Sequence, residues 1–197
     1  MGRDATSANK VGVHAGLAVV VEAFARSYLT SMQQHSGVEA VREELGPTEG
    51  PVFAHSMSVI LLVTPPMKVT CRTFFDAEDV RALMAQALRR KEDAIGGGLV
   101  SDFMREYANM ACGNLKRSLE SMGLGVGLSL PFVTRGFDAV FDKATSGTSV
   151  HQAMFRARTP QARFVNRVDI EINDVVEFTK VNWDLGHTDQ GGEMEFL

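Results

Sequence analysis

The sequence predicts an α+β domain in which a largely antiparallel sheet packs against long helices. Three features point there. Apolar residues recur at helical spacing over 16–34 and again over 101–122. Apolar, β-rich segments flank Pro65-Pro66, where proline fixes φ and cannot donate to a ladder. Val168, Ile170 and Ile172 alternate with Arg167, Asp169 and Glu171, the period of a half-buried strand.

Taken in order, residues 1–10 (MGRDATSANK) are polar and read as a loose arm. Leu17, Val20, Val21, Phe24, Tyr28, Leu29 and Met32 define an amphipathic helix from about Gly16 to Gln34. His35-Ser36-Gly37 ends it, and Val38–Leu45 is expected to add one or two more helical turns before Gly46-Pro47. Val52–Val63 and Val69–Phe75 read as strands on either side of the proline turn. Asp76 is the expected N-cap of a helix whose first turn holds Glu78 and Asp79 and whose apolar face is Val80, Leu83, Met84 and Leu88. Ile95-Gly96-Gly97-Gly98 is a hinge-like break before a helix from about Ser101 to Met122, which Gly123–Gly127 ends. Val126–Val133, Val150–Ala157 and Phe164–Ile172 read as strands, and Val175–Trp183 is expected to pair with the last across an Asn173-Asp174 hairpin turn. The organisation predicted is one domain over 11–185, with a polar tail over 186–197.

Composition narrows the function classes. The apolar fraction of 45% in 197 residues is enough for an ordinary core, which excludes wholesale disorder. Lys and Arg number 20 against 24 Asp and Glu, so the chain lacks the basic surplus of a nucleic-acid binder. Neither apolar run, Leu17–Val21 or Val59–Val63, is long enough to cross a bilayer, and no membrane partner is expected. Cys71 and Cys112 cannot form a disulfide framework or a metal-ligand set. A cytoplasmic location is the expectation. No P-loop, HExxH pair or GxSxG elbow occurs, and the histidines at 14, 35, 55, 151 and 187 have no ligand-spaced neighbours. Cys112 reads as a small hydrophobe packed in the core rather than as a nucleophile.

The chemistry concentrates on one helix. Plotted at about 100° per residue, Glu106, Asn109, Gly113, Lys116, Arg117 and Glu120 fall within roughly 60° of Asp102. Met104, Tyr107, Ala108, Ala111, Leu115, Ser118 and Met122 fall opposite, on the face expected to be buried. Glu106 and Asn109 are three apart and share a face. A carboxylate there can hold a cation or a lysine, while a carboxamide can donate to and accept from one water and so aim it. Phosphoryl transfer needs mainly such positioning. Gly113, in mid-helix on the same stripe, costs about 1 kcal/mol of helix propensity against alanine, so something is expected to approach the backbone there.

The run Asp102-x3-Glu106-x2-Asn109-Met110-x2-Gly113-Asn114-x-Lys116, followed by Leu119, Gly123 and Leu128-Ser129-Leu130-Pro131-x-Val133-x2-Gly136, resembles the CheX branch of the CheC/CheX/FliY chemotaxis phosphatases. The resemblance implies a CheC/CheX-like fold and hydrolysis of the aspartyl phosphate on a CheY-like response regulator. It implies that Asn109 orients the attacking water and that Glu106 pairs with the regulator's active-site lysine. Asp102, Gly113 and Lys116 are expected to face the partner. No cofactor of the chain's own is implied, with Mg2+ expected in the partner's receiver domain, and a homodimer is expected. A single ExxN helix is similar to CheX rather than to CheC, whose two halves each carry one. The alternative is a non-catalytic docking module of the same fold, binding a receiver or a flagellar-motor component.

Overall fold

The computed structural model describes residues 4–45, 54–135 and 150–184, with side chains from 12 onward. Helix α1 (Asp4–Ser36) is followed by strands β1 (Val41–Glu44), β2 (Ser56–Val63) and β3 (Met67–Phe75). Helices α2 (Ala77–Leu88) and α3 (Gly97–Ser121) come next, joined through a short 3-10 turn at Glu92–Ala94. Strands β4 (Gly127–Leu128), β5 (Phe132–Arg135), β6 (Val150–Arg158) and β7 (Arg163–Ile172) precede a short helix, α4 (Val175–Lys180). The strands lie in the order β1-β6-β7-β3-β2-β4, and β5 continues along the β4 edge of β2. Every pairing is antiparallel, so the predicted α+β class with a largely antiparallel sheet is what the chain adopts.

The core forms between one face of the sheet and the helices. Ile60, Leu62, Val69, Cys71, Val168 and Ile170, alternate residues of β2, β3 and β7, join a single buried cluster with Phe24, Tyr28 and Met32 of α1 and Met104, Tyr107 and Leu115 of α3. Burying each of these large side chains contributes about 1.5–3 kcal/mol. Rings knit the two long helices together: Tyr28 meets Phe24 at 4.5 Å and Tyr107 edge-on at 5.6 Å. Together these contacts fix which face of α3 is left outside.

Several elements depart from the sequence reading, each for a local reason. The helix over 16–34 is longer than predicted, and Asp4–Lys10, expected as part of a loose arm, continue it. Gly37, at φ 70°, stops α1, and the expected extra helical turns at Val38–Leu45 are instead an edge strand. There Arg42 bridges Glu22 at 2.9 Å and Glu44 at 2.6 Å, while Glu43 meets Arg158 of β6 at 2.7 Å. Antiparallel pairing with β6, with Glu43 facing Arg158 across it, thus sets the state of a segment that local propensity does not.

The strand expected over Val126–Val133 is split into β4 and β5 by Ser129-Leu130-Pro131. Pro131 has no N–H to give, and Ser129 takes over the ladder: its hydroxyl accepts from Leu61 N at 3.0 Å and its own N–H donates to Leu61 O at 2.9 Å. The hairpin expected across Asn173-Asp174 is absent. Asp174 caps α4 instead, accepting from the backbone of Val176 at 2.9 Å and Glu177 at 3.0 Å. Phe178 and Trp183 then seat on α1 at Gly16, where a Cβ would lie 2.6 Å from the Phe178 ring and 2.5 Å from the Trp183 indole nitrogen.

Asp76 holds the N-cap position of α2, but its carboxylate turns to the His55 Nδ1 at 2.7 Å rather than capping the helix. Leu88, expected on the apolar face of α2, is 49% exposed. The polar alternates of β7 are not all solvated either: Arg167 and Asp169 are buried, and Asp169 is held between Arg72 and Arg167. The start of the strand expected at Val52, Gly46-Pro47, Gly136, His187 and the tail over 186–197 lie outside the described residues.

Candidate functional site

Helix α3 begins at Gly97 with Gly96 as its cap, so the glycine triplet forms the helix start rather than a break ahead of it. Val100, Phe103, Met104, Tyr107, Ala108, Ala111, Cys112, Leu115 and Leu119 are buried. That matches the predicted inner face except at its end, where Ser118 and Met122 are only half-buried. Ser118 turns its hydroxyl back to the Asn114 carbonyl at 3.2 Å. Two polar bonds fix the rotation of the helix: Tyr107 donates to Tyr28 O at 3.2 Å, and Asn114 Nδ2 donates to Ser31 Oγ at 2.8 Å.

That rotation puts Glu106 and Asn109 outside. Both are exposed, one turn apart, and neither side chain makes a hydrogen bond or ion pair with another described residue. Their flanks differ. Asp102 pairs with Arg105, Lys116 pairs with Glu120 at 3.6 Å, and Arg117 reaches Asn114 Oδ1. Exposed pairs of this kind hold by about 0–1 kcal/mol, so a partner can exchange with them readily. Glu106 keeps a carboxylate with no such bond to give up. Gly113 has open space where a Cβ would stand, with no atom within 4 Å, so packing within the chain does not demand glycine there.

Of the predicted site residues, Asp102, Glu106, Asn109, Gly113 and Lys116 are thus brought onto one side of one helix. Sequence reasoning missed His35. At the end of α1 it stacks on the Phe103 ring with centroids 4.2 Å apart, and its Nε2 donates to the Phe103 carbonyl at 3.2 Å. Burial pushes its pKa below the ordinary histidine value; the carbonyl and the nearby Glu106 charge pull the other way. Only a tertiary contact brings this histidine to α3, and no spacing in the chain signals it.

The surroundings limit the chemistry. Cys112 is buried against the Tyr28 hydroxyl at 3.5 Å, out of reach of a substrate at the surface. A cavity of about 540 Å³, lined among others by Phe74, Asp79, Arg156 and Arg163, includes no residue of α3. The exposed stripe thus lies outside the lining of that cavity, on the outer face of α3. Among the described residues no three or more His, Cys, Asp or Glu side chains converge as a metal site, and no helix is long and apolar enough to cross a membrane.

No family model and no curated protein matches the chain. Solved structures do. The chemotaxis protein CheX from Vibrio vulnificus superposes with a TM-score of 0.63 at 18% identity, over 77% of this chain and 99% of that one. The CheX–CheY–BeF3–Mg2+ complex from Borrelia burgdorferi gives 0.60 at 14% identity, over 76% and 96%. The middle domain of FliM from Vibrio alginolyticus gives 0.54 at 12% identity, over 82% and 96%. The fold is CheC/CheX-like.

Proposed function

We propose that this chain is a protein phosphatase that hydrolyses the aspartyl phosphate of a CheY-like receiver domain. The observation that carries the reading is the exposed, unpaired Glu106–Asn109 couple on the outer face of α3. The likeness in fold to a CheX seen in complex with CheY supports it.

Asn109 is the water holder in this reading. Its carbonyl accepts one hydrogen of the water while its NH2 donates to the oxygen, leaving a lone pair aimed at the phosphorus. Attack by that water breaks the bond between phosphorus and the aspartyl oxygen, releasing the carboxylate and inorganic phosphate, with the water's proton passing to the phosphate. Glu106 meets a lysine of the partner by a charge-assisted bond and so sets the depth and angle at which Asn109 enters the receiver's active site. Mg2+, held by the receiver, would neutralise charge on the phosphoryl group. Asp102 and Lys116 form the flanks of the contact, and Gly113 lets the partner come close to the helix.

Homodimerisation by strand addition belongs to the same reading. Among the described residues β4 and β5 form an outer edge, which carries Leu130 at 89% and Phe132 at 63% exposure, and an edge of this kind pairs readily. A second reading is a docking module without catalysis. It draws support from the FliM middle domain, which shares the fold. Phosphate release from a panel of phosphorylated receiver domains, with and without the protein, separates the two: faster release from one or more receivers is expected, and binding without acceleration would favour the second.

A further inference from the structure

The cavity of about 540 Å³ stands apart from α3, and the proposed reaction makes no use of it. Its volume falls within the range of small-molecule sites, about 300–1,000 Å³. Among the described residues its walls come from two places. Asp76 and Asp79, three apart at the start of α2, bring carboxylates. Arg156 of β6 and Arg163 of β7 bring guanidinium groups. Phe74 and Val165 form the apolar part, standing beside Arg156 in one row across β3, β7 and β6.

The walls are tied together within the chain. Asp79 Oδ2 accepts from Arg163 N at 3.2 Å, which joins the start of α2 to the start of β7. The turn between β6 and β7 is closed by Thr159 N donating to Ala162 O and Ala162 N donating to Thr159 Oγ1, both at 2.9 Å. Two of the four charges are already engaged: Asp76 with His55 at 2.7 Å and Arg156 with Glu43 at 3.4 Å. The other two are not. The Asp79 carboxylate and the Arg163 guanidinium form no ion pair with another described residue, although the two residues meet through the Arg163 backbone.

One uncommitted charge of each sign therefore lines a single cavity, beside an apolar surface. A phosphate ester would suit the guanidinium groups but would face the carboxylates of α2, and a polyamine would meet the reverse conflict. A ligand that carries both signs satisfies both groups, each by a charge-assisted bond. We propose that this cavity binds a small zwitterion, an α-amino acid or a dipeptide, with its ammonium group at Asp79, its carboxylate at Arg163 and its side chain against Phe74 and Val165. The site is separate from the Glu106–Asn109 face and does not depend on the phosphatase reading.

NMR titration of the full chain tests it, with leucine, phenylalanine and the leucyl-phenylalanine dipeptide as probes. Isocaproate and isoamylamine serve as controls, since each keeps the leucine side chain and only one of its charges. At least one zwitterion should shift the amide signals of residues 76–79 and 159–165 saturably, with a Kd of about 1 mM or below and roughly tenfold tighter than either control. Asp79→Asn and Arg163→Gln should each weaken that binding roughly tenfold. Asparagine keeps an acceptor for Arg163 N, so the tie between the walls survives the first substitution. No saturable shift with any of the three probes up to about 10 mM overturns the proposal. So does a control that binds as well as the zwitterions, or a variant of either kind that binds as wild type does. The comparison of probes on the wild-type chain stands even where a variant fails to fold. None of these measurements reads receiver dephosphorylation, so a negative result leaves the α3 site as it was.

Discussion

The Tyr107 hydroxyl donates to the Tyr28 carbonyl at 3.2 Å, and the same helix turn that buries it carries Glu106 and Asn109 on its outer side. The bond pins the rotation of α3 against α1 at the height of the candidate site. Tyr107→Phe keeps the ring contacts with Tyr28 and Phe164 and removes only the donor. The Tyr28 carbonyl lies inside α1 and retains its helical partner, so the loss should be about 1 kcal/mol in urea denaturation. Tyr107→Ala also leaves a cavity and should cost about 3–5 kcal/mol.

Gly16 is where α4 docks on α1. Gly16→Ala drives a methyl into the Phe178 and Trp183 rings and should destabilise the chain by about 1–3 kcal/mol. Trp183 is the single tryptophan, so its fluorescence reports the event directly. An unshifted emission spectrum and unchanged melting temperature would show that α4 can lie elsewhere at no cost.

What the sequence made legible follows from the range of the forces involved. Helix α3 and strand β7 declare themselves because one buried face imposes a period on consecutive residues. The Glu106–Asn109 stripe is legible for the same reason, being the outer face of a helix whose inner face is apolar. Val41–Glu44 and Val175–Lys180 are not legible, because pairing with β6 in the first case and an aspartate cap in the second override local helix and strand readings respectively. Burial of Arg167 and Asp169 on the polar side of β7 depends on Arg72, 97 residues away from Asp169 in the chain. His35 reaches the site through a contact spanning 68 residues, which local pattern cannot encode.

Gly113 allows a test in which stability and function move apart. Its Cβ position is open, so Gly113→Ala should stabilise the helix by up to about 1 kcal/mol. If a receiver approaches the α3 backbone there, the same methyl should weaken receiver affinity. Melting temperature and binding are to be measured on one preparation, and a stabilised variant with wild-type affinity would show that no partner comes close at this turn.

The β4–β5 edge predicts assembly. A dimer built on it should be disrupted by Phe132→Lys, since lysine on an edge discourages strand addition, and Phe132 is exposed enough to be replaced without cost to the core. Sedimentation at tens of micromolar should show a dimer for wild type and a monomer for the variant. A wild-type monomer sinks the assembly prediction and leaves the site on α3 untouched.

The chemistry itself turns on separating affinity from turnover. Asn109 holds a water whose interaction matters in the transition state, so Asn109→Ala should abolish accelerated dephosphorylation and leave affinity for the activated receiver nearly unchanged. Glu106 makes its contact in the bound complex as well, so Glu106→Ala should lower affinity and rate together. Both side chains are exposed and unbonded, and neither substitution should change stability by more than about 0.5 kcal/mol. Melting temperature therefore serves as the control that separates a lost site from a lost fold. If Asn109→Ala turns over its receiver at the wild-type rate, no water is being held at this position, and the surface around Glu106 is a docking face alone.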